Sequence, residues 1–225
     1  MIVFDDVTKR YKSGNIALDQ ASFQIDENEF VFLVGPSGAG KTTILNLILL
    51  AMHPSSGSIF IDGTDITSSD FHNIQHHRRS IGMVFQDFRV LHDKNVFENI
   101  AIALEIEGLP RDKIKKKVEE ALELVGLADK KLMFPIQLSA GELQRVGIAR
   151  AVVGDRSIII ADEPTGNLDP KTTESIMEIF KKLEHENTII IATHNANVVN
   201  RLKKRVITID AGVIKKDKRS GKYEL

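Results

Sequence analysis

A parallel-sheet α/β fold, with an N-terminal antiparallel β subdomain and an all-helical insertion, is expected from three observations. Apolar, β-branched runs at Phe30–Val34, Ile158–Ala161, Thr188–Ala192 and Val206–Ile209 are separated by longer stretches, several of helical period. That alternation is the pattern of parallel strands joined by crossover helices. Residues 1–26 alternate apolar and polar side chains in two runs around Lys12-Ser-Gly-Asn15, which reads as a hairpin. Residues 87–137 carry helical periodicity with no strand pattern among them.

Each element has its local reason. Phe30–Val34 is continuous apolar sequence, as suits a strand buried on both faces. Lys41–Met52 is helical in period until Pro54-Ser-Ser-Gly57 breaks it. Ser58–Gly63 is a strand and turn, and Ile81–Gln86 is a strand that ends in a polar amide. Val96–Glu107 and the charged segment Arg111–Val125 are helices separated by Gly108-Leu-Pro110, with Gly126 as the C-terminal stop of the second. Ala140–Val153 is another helix. After it come strand Ile158–Ala161, helix Lys171–His185, strand Thr188–Ala192, helix Ala196–Arg201 and a final strand Val206–Ile209. One domain over 1–225 is expected, with 87–137 and the helix at 139–153 forming a helical subdomain.

Bulk composition narrows the function classes. The 225 residues are 42% apolar and 27% charged, ordinary for a globular protein with a substantial core. A net charge of −1 provides no general attraction to nucleic acid. The absence of cysteine removes disulfides and thiolate metal sites, and it suits a reducing compartment. The N-terminus has no secretory pattern, and the apolar stretch Ile44–Met52 is too short to span a bilayer. A membrane role would therefore act through a partner. Residues 201–225 hold nine Lys/Arg against three Asp/Glu. Lys215-Lys-Asp-Lys-Arg219 and Lys222 would suit anionic lipid headgroups, but a solvated, frayed C-terminus is the preferred reading.

Gly35-Pro-Ser-Gly-Ala-Gly-Lys41-Thr42 fits the phosphate-cradling pattern G-x-x-x-x-G-K-[ST], placed between a buried strand and a helix. Glycines at 35, 38 and 40 let backbone N–H groups turn around an anion, and the helix adds its N-terminal partial charge. Lys41 is expected at the terminal phosphates and Thr42 at Mg²⁺. Asp162 and Glu163 end a β-branched run, where parallel sheets hold their ligands. Asp162 is the expected second-sphere or water-mediated Mg²⁺ partner, and Glu163 the group that polarises the attacking water. Gln86 and His194 also sit at strand ends. The Gln86 amide would suit Mg²⁺ or the lytic water, and the His194 imidazole would hold Glu163 and meet the γ-phosphate. Ser139-Ala-Gly-Glu142 is a complete capping box on its own, and the same helix start is an anion site that a second molecule's phosphate would fit. Asp169-Pro170 reads as a helix N-cap with proline at the first position.

In this order these motifs resemble the ATP-binding-cassette ATPases, over nearly the whole chain, which implies the P-loop NTPase fold of their nucleotide-binding domain. Gly35, Pro36, Ser37, Gly38, Ala39, Gly40, Lys41 and Thr42, with Thr43 beside them, look like Walker A. Gln86 looks like the Q-loop and Leu138–Glu142 like the signature loop. Ile158–Asp162 with Glu163 looks like Walker B and its catalytic glutamate, Asn167–Asp169 like the D-loop, and His194 like the switch histidine. Tyr11 stands where the family stacks an aromatic on adenine, although the position equally suits a half-buried strand tyrosine. The resemblance implies ATP and Mg²⁺ as ligands, with Thr42, Gln86 and Asp162 around the metal and Glu163, His194 and Lys41 as catalytic groups. It also implies an ATP-dependent head-to-tail homodimer, in which Ser139, Gly141 and Asp169 face the partner's nucleotide. Leu-Ser-Ala-Gly-Glu departs from the usual Leu-Ser-Gly-Gly-Gln. Ala140 suits a helix's first turn, whereas Glu142 puts a negative charge near a phosphate site.

Ala161–Asp169, Gln144–Val153, Phe134–Leu138 and Phe85–Lys94 resemble the branch of lipoprotein-release, macrolide-export and cell-division ATPases, and most of all the cell-division members. That likeness implies an integral membrane permease as partner and a peripheral place on the cytoplasmic face of the inner or plasma membrane. It also implies motion passed across the membrane to control peptidoglycan hydrolysis. Phe88, Val90, Leu91 and Phe97 are candidates for a groove that receives a partner helix, or for the insertion's own core. A soluble cassette acting on DNA or ribosomes is disfavoured by the single cassette, the lack of long heptads and the net charge. A non-hydrolysing scaffold is disfavoured by the presence of Lys41, Glu163 and His194 together.

Overall fold

Two sheets organise the chain, and both follow from its apolar patterning. The computed structural model describes residues 1–221 and residue 223; Lys222 of the basic tail lies outside them. β1 (Ile2–Arg10) and β2 (Ile16–Ile25) form the expected hairpin, with Ile2 opposite Ile25 and Phe4 opposite Phe23. The two phenyl rings stack with centroids 4.5 Å apart. β3 (Phe30–Val34) leaves this sheet and starts the second. β4 (Ser56–Ile61) pairs antiparallel on the other side of β1, and β5 (Thr64–Asp65) adds a short edge, giving the order β2-β1-β4-β5.

The second sheet adds β6 (Ile81–Val84), β7 (Ile158–Asp162), β8 (Thr188–Thr193), β9 (Arg205–Asp210) and β10 (Val213–Lys218), in the order β10-β9-β3-β8-β7-β6. All pairs are parallel except β9 with β10. Alternate residues of each central strand enter different cores. Val31, Leu33, Ile158, Ile160 and Ile190 pack with helix α1 (Lys41–Ile48) and the first sheet. Phe30, Phe32, Ile159, Ile189 and Ile191 pack with the helices on the opposite face. Cover on both faces is why these strands read as unbroken apolar runs.

The helices on that second face are α3 (Val96–Ile106), α4 (Arg111–Val125), α5 (Ala140–Val152) and α6 (Pro170–Leu183), following the short α2 (Ile74–Arg79). α7 (Ala196–Leu202) comes after β8. Asn95 and Glu98 cap α3 reciprocally, and Gly126 closes α4 in the left-handed region at φ 69°. Val90 and Phe97 pack on this helical core, whereas Phe88 and Leu91 are half-buried outside it. Among the described residues no helix is long and apolar enough to cross a membrane.

Three local expectations change. α1 ends at Ile48 rather than Met52, because Leu50 turns left-handed at φ 51°. Its terminal carbonyls go to α2, which the sequence reading left out: His77 Nε2 lies 2.7 Å from the Ile48 oxygen, and Arg78 donates to Leu49 and Leu50. The basic tail is not frayed over 213–218 but forms β10. A two-residue turn with positive φ at Ala211 (46°) and Gly212 (80°) folds it back onto β9. Arg205 then bonds Asp217 across the pair and reaches Glu29.

Candidate active site

The parallel register brings four strand ends to one edge. Val34 of β3 pairs with Thr193 of β8, Asp162 of β7 with Ala192, and β6 ends beside Ala161. The loop after β3 closes on this edge. A Cβ at Gly35 would lie 2.0 Å from the Ile209 oxygen, and one at Gly40 2.5 Å from the Ala17 oxygen, so only glycine allows this approach. No side chain caps the N-terminus of α1. Its first-turn N–H groups are therefore left for an anion, which is the fit expected of a phosphate site. Lys41 is buried and donates to the Gly35 and Pro36 carbonyls at 2.8 and 3.0 Å. Burial lowers its pKa, against the pull of Glu163 and Asp162.

Thr42 Oγ1 donates to Asp162 Oδ2 at 2.8 Å, joining the phosphate loop to β7. Burial pushes the Asp162 carboxyl up, and the Thr42 bond opposes that. Thr43 is buried, its hydroxyl 3.4 Å from that of Tyr11. Tyr11, at the end of β1, keeps 40% of its surface exposed. Pro36, Ser37 and Gly38 are exposed at the loop's crest, with Ala39 buried beneath them.

Glu163 is held from three directions. Its N–H donates to the Ala192 carbonyl at 2.9 Å, Oε2 accepts from Thr193 Oγ1 at 3.1 Å, and Oε1 lies 2.7 Å from His194 Nδ1. Its backbone is left-handed at φ 46°, a conformation that costs a non-glycine residue about 1–2 kcal/mol. Strain retained at the C-terminal edge of a parallel sheet, on a doubly oriented carboxylate, points to a group whose placement matters. Gln86, exposed two residues beyond β6, shares a cleft of about 600 Å³ with Asp162, Phe88, Ala140 and Asn167.

The signature-type residues make their hydrogen bonds elsewhere, although Ala140 lines the same cleft as Asp162. Ser139 N–H and Oγ–H both donate to Glu142 Oε2 at 2.9 Å, completing the capping box on α5. Ala140 keeps a negative φ, so its position does not require glycine. Gly141 brings α5 against α6, where a Cβ would stand 2.5 Å from Thr172 Cγ2. Asp169 Oδ1 accepts from the N–H groups of Lys171 and Thr172 at 3.0 Å, as the expected N-cap of α6. Among the described residues no hydrogen bond joins Ser139, Gly141, Asp169 or Gln86 to Lys41, Thr42, Asp162, Glu163 and His194, which the fold does bring together.

Residues 18–166 match the family described as ABC transporter. The chain belongs to that family. It is 46% identical to the cell division ATP-binding protein FtsE of Bacillus subtilis, covering 99% of this chain and 98% of that one. For the FtsE proteins of Mycobacterium tuberculosis and Escherichia coli the identities are 43% and 46%, over 99% and 94% of this chain and 98% and 96% of theirs. A dimeric ATP-binding cassette in a post-hydrolysis state, bound to ADP and Pi, superposes with a TM-score of 0.89 at 34% identity, covering 99% of this chain and all of that one. A second dimeric cassette structure gives 0.89 at 36%, with the same coverage. The chain is thus an ABC-type ATPase that binds ATP.

Two residues of this ABC cassette escaped the sequence reading. Thr193 is the second ligand of the Glu163 carboxylate, and its place between β8 and His194 was the available clue. Arg150, a lone cation on the otherwise small and apolar C-terminal half of α5, donates from Nη1 to the Arg89 oxygen at 2.7 Å and from Nη2 to the Phe88 oxygen at 3.0 Å. It thereby anchors the loop after Gln86. Among the described residues no three or more His, Cys, Asp or Glu side chains form a metal cage. The hydroxyl, amide and carboxylate oxygens of Thr42, Gln86 and Asp162 fit a Mg²⁺ that shares its shell with phosphate and water.

Proposed function

We propose that this chain hydrolyses ATP as the cytoplasmic, peripheral subunit of a membrane complex that regulates peptidoglycan hydrolysis in cell division. An FtsX-like integral membrane permease is its partner. Near-full-length identity of 43–46% to FtsE proteins of three bacteria carries the cell-division reading. The orientation of Glu163 by Thr193 and His194 supports the hydrolytic one.

Glu163 takes the role of polarising the attacking water, its carboxylate aimed by the two flanking donors. His194 keeps that aim and offers its second ring nitrogen to the γ-phosphate. Lys41 turns its ammonium from the loop carbonyls to the terminal phosphates. Thr42, Gln86 and Asp162, the last through water, would hold a Mg²⁺, which would supply positive charge to the phosphates. Gly35, Pro36, Ser37, Gly38, Ala39, Gly40 and Thr43 shape the cradle, and Tyr11 stacks on adenine. Ser139, Gly141 and Asp169 serve a second copy's nucleotide in an ATP-dependent homodimer, a role that suits the absence, among the described residues, of any hydrogen bond from them to Lys41, Thr42, Asp162, Glu163 or His194. Residues 87–137 with the signature helix at 139–153 act as a helical subdomain that passes closure to the permease, and the half-buried Phe88 and Leu91 lie on the surface that meets it.

The test is capture of the partner from the native host with tagged Glu163→Gln protein held with ATP. Co-purification of a small permease with one extracytoplasmic domain, together with cell-wall hydrolases or their activators, is the expected result. A permease that brings lipoproteins or an efflux adaptor would refute the cell-division reading and leave the ATPase chemistry standing.

A further inference from the structure

The signature loop carries a carboxylate at the place where a phosphate is to be received. Glu142 is the third residue of α5, and its Oε2 takes both the N–H and the hydroxyl hydrogen of Ser139 at 2.9 Å. The hydroxyl that would serve an incoming phosphate is therefore committed to an anion of the same chain. Lys130, at the end of the 3₁₀ turn Ala128–Lys130, bonds the other carboxylate oxygen, Oε1, and makes an ion pair with it. The two side chains keep only 30% and 25% of their surface, so solvent screens the pair incompletely.

We infer that Lys130 is a positioning residue for the signature loop: its ammonium compensates Glu142, so that Ser139 and the start of α5 can receive the terminal phosphate bound by a second copy of this chain. The inference rests on the reading of Ser139 as a group that acts across the dimer. Protonation cannot replace the lysine. The lysine's hydrogen bond, followed by the Ser139 backbone bond, holds the Glu142 carboxyl down at about 2, and without the lysine the group returns only toward the ordinary carboxyl value of 4.5, still charged at neutral pH. Without Lys130 the full charge falls on the Ser139 side, where it both retains the hydroxyl and repels the triphosphate.

Dimerisation against ATP concentration, followed by light scattering in the Glu163→Gln background, tests this. Lys130→Met should raise the ATP concentration for half-dimerisation about tenfold, the effect of one uncompensated charge at short range in a partly screened site. Lys130→Arg should restore it. Adding Glu142→Gln to Lys130→Met should return it to within about threefold, because a neutral amide needs no counter-charge. A lysine that merely tied the turn to α5 would not be rescued in this way, since the tie stays broken. Unchanged dimerisation in Lys130→Met, or no rescue by Glu142→Gln, overturns the inference. If the Glu163→Gln parent itself fails to dimerise with ATP, the cross-dimer role of Ser139 falls and the inference with it, a result distinct from either of those.

Discussion

Replacing Arg150 with Met should loosen the loop after Gln86 while leaving the fold in place. The guanidinium makes two hydrogen bonds, at 2.7 and 3.0 Å, to consecutive backbone carbonyls. Bonds to a charged group contribute about 1.5–3 kcal/mol each, so the gross loss is about 3–6 kcal/mol. Two effects offset it. Phe88 and Arg89 are both left-handed, at φ 59° and 45°, and relaxation of that backbone returns about 1–2 kcal/mol per residue. The arginine is also partly desolvated, as its lowered pKa records, and methionine avoids that cost. The net loss is about 1–3 kcal/mol, or roughly 2–12 °C in Tm for a chain of this size. Thermal unfolding gives the global number, and amide hydrogen exchange across residues 86–91 gives the local one, which should quicken while α1 stays protected. A loss under about 0.5 kcal/mol with unchanged exchange at 86–91 would refute the reasoning. Arg150→Lys should recover less than half, because one ammonium does not span two carbonyls as a planar fork does.

Glu163→Gln should lower ATP turnover by roughly 10²–10⁴, the usual cost of losing a general base; unchanged single-turnover hydrolysis would remove Glu163 from the catalytic role. Thr42→Val keeps the shape but deletes the 2.8 Å bond to Asp162, and it should raise the Mg²⁺ needed for half-maximal turnover about tenfold. Stability should show an acid limb from Glu142. A carboxyl held at about 2 in the folded chain against 4.5 unfolded contributes its stability above pH 4.5 and loses it as pH falls toward 2. Discounted for solvent screening, this is about 1 kcal/mol, and urea midpoints at pH 3 and pH 6 should move closer together in Glu142→Gln.

Much of the site was legible because its chemistry is local. The run from Gly35 to Thr42 contains both the turn and the helix start it needs, and Asp162-Glu163 ends an apolar strand whose direction any parallel sheet dictates. Ser139 and Glu142 announced their capping box by spacing alone. Less legible were features decided by distant partners. α1 ends early because His77 and Arg78, about thirty residues on, take its last carbonyls. β10 was hidden because its turn places Ala211 in a left-handed conformation usually given to Asn or Gly, so the basic residues after it resemble a solvated tail. The threat that Glu142 poses to a phosphate site was visible, but its remedy twelve residues upstream was not, since a lysine in a charged segment announces no partner.

The packing of β6 against α5 has a mechanical consequence. A Cβ on Gly82 would stand 2.2 Å from the Ala151 carbonyl, so the end of α5 rests directly on the backbone of the edge strand. Ser139 lies twelve residues away at the helix's other end, about 18 Å along its axis. Were α5 to turn as a rigid body about Gly82, Ser139 would lie on the long arm and Arg150 beside the pivot. A tilt of about 10° would move Ser139 by about 3 Å, would carry with it α6, against which Gly141 packs, and would hardly move the loop carbonyls under Arg150. Such a turn would change what Ser139 can reach while leaving the clamp on the Gln86 loop in place.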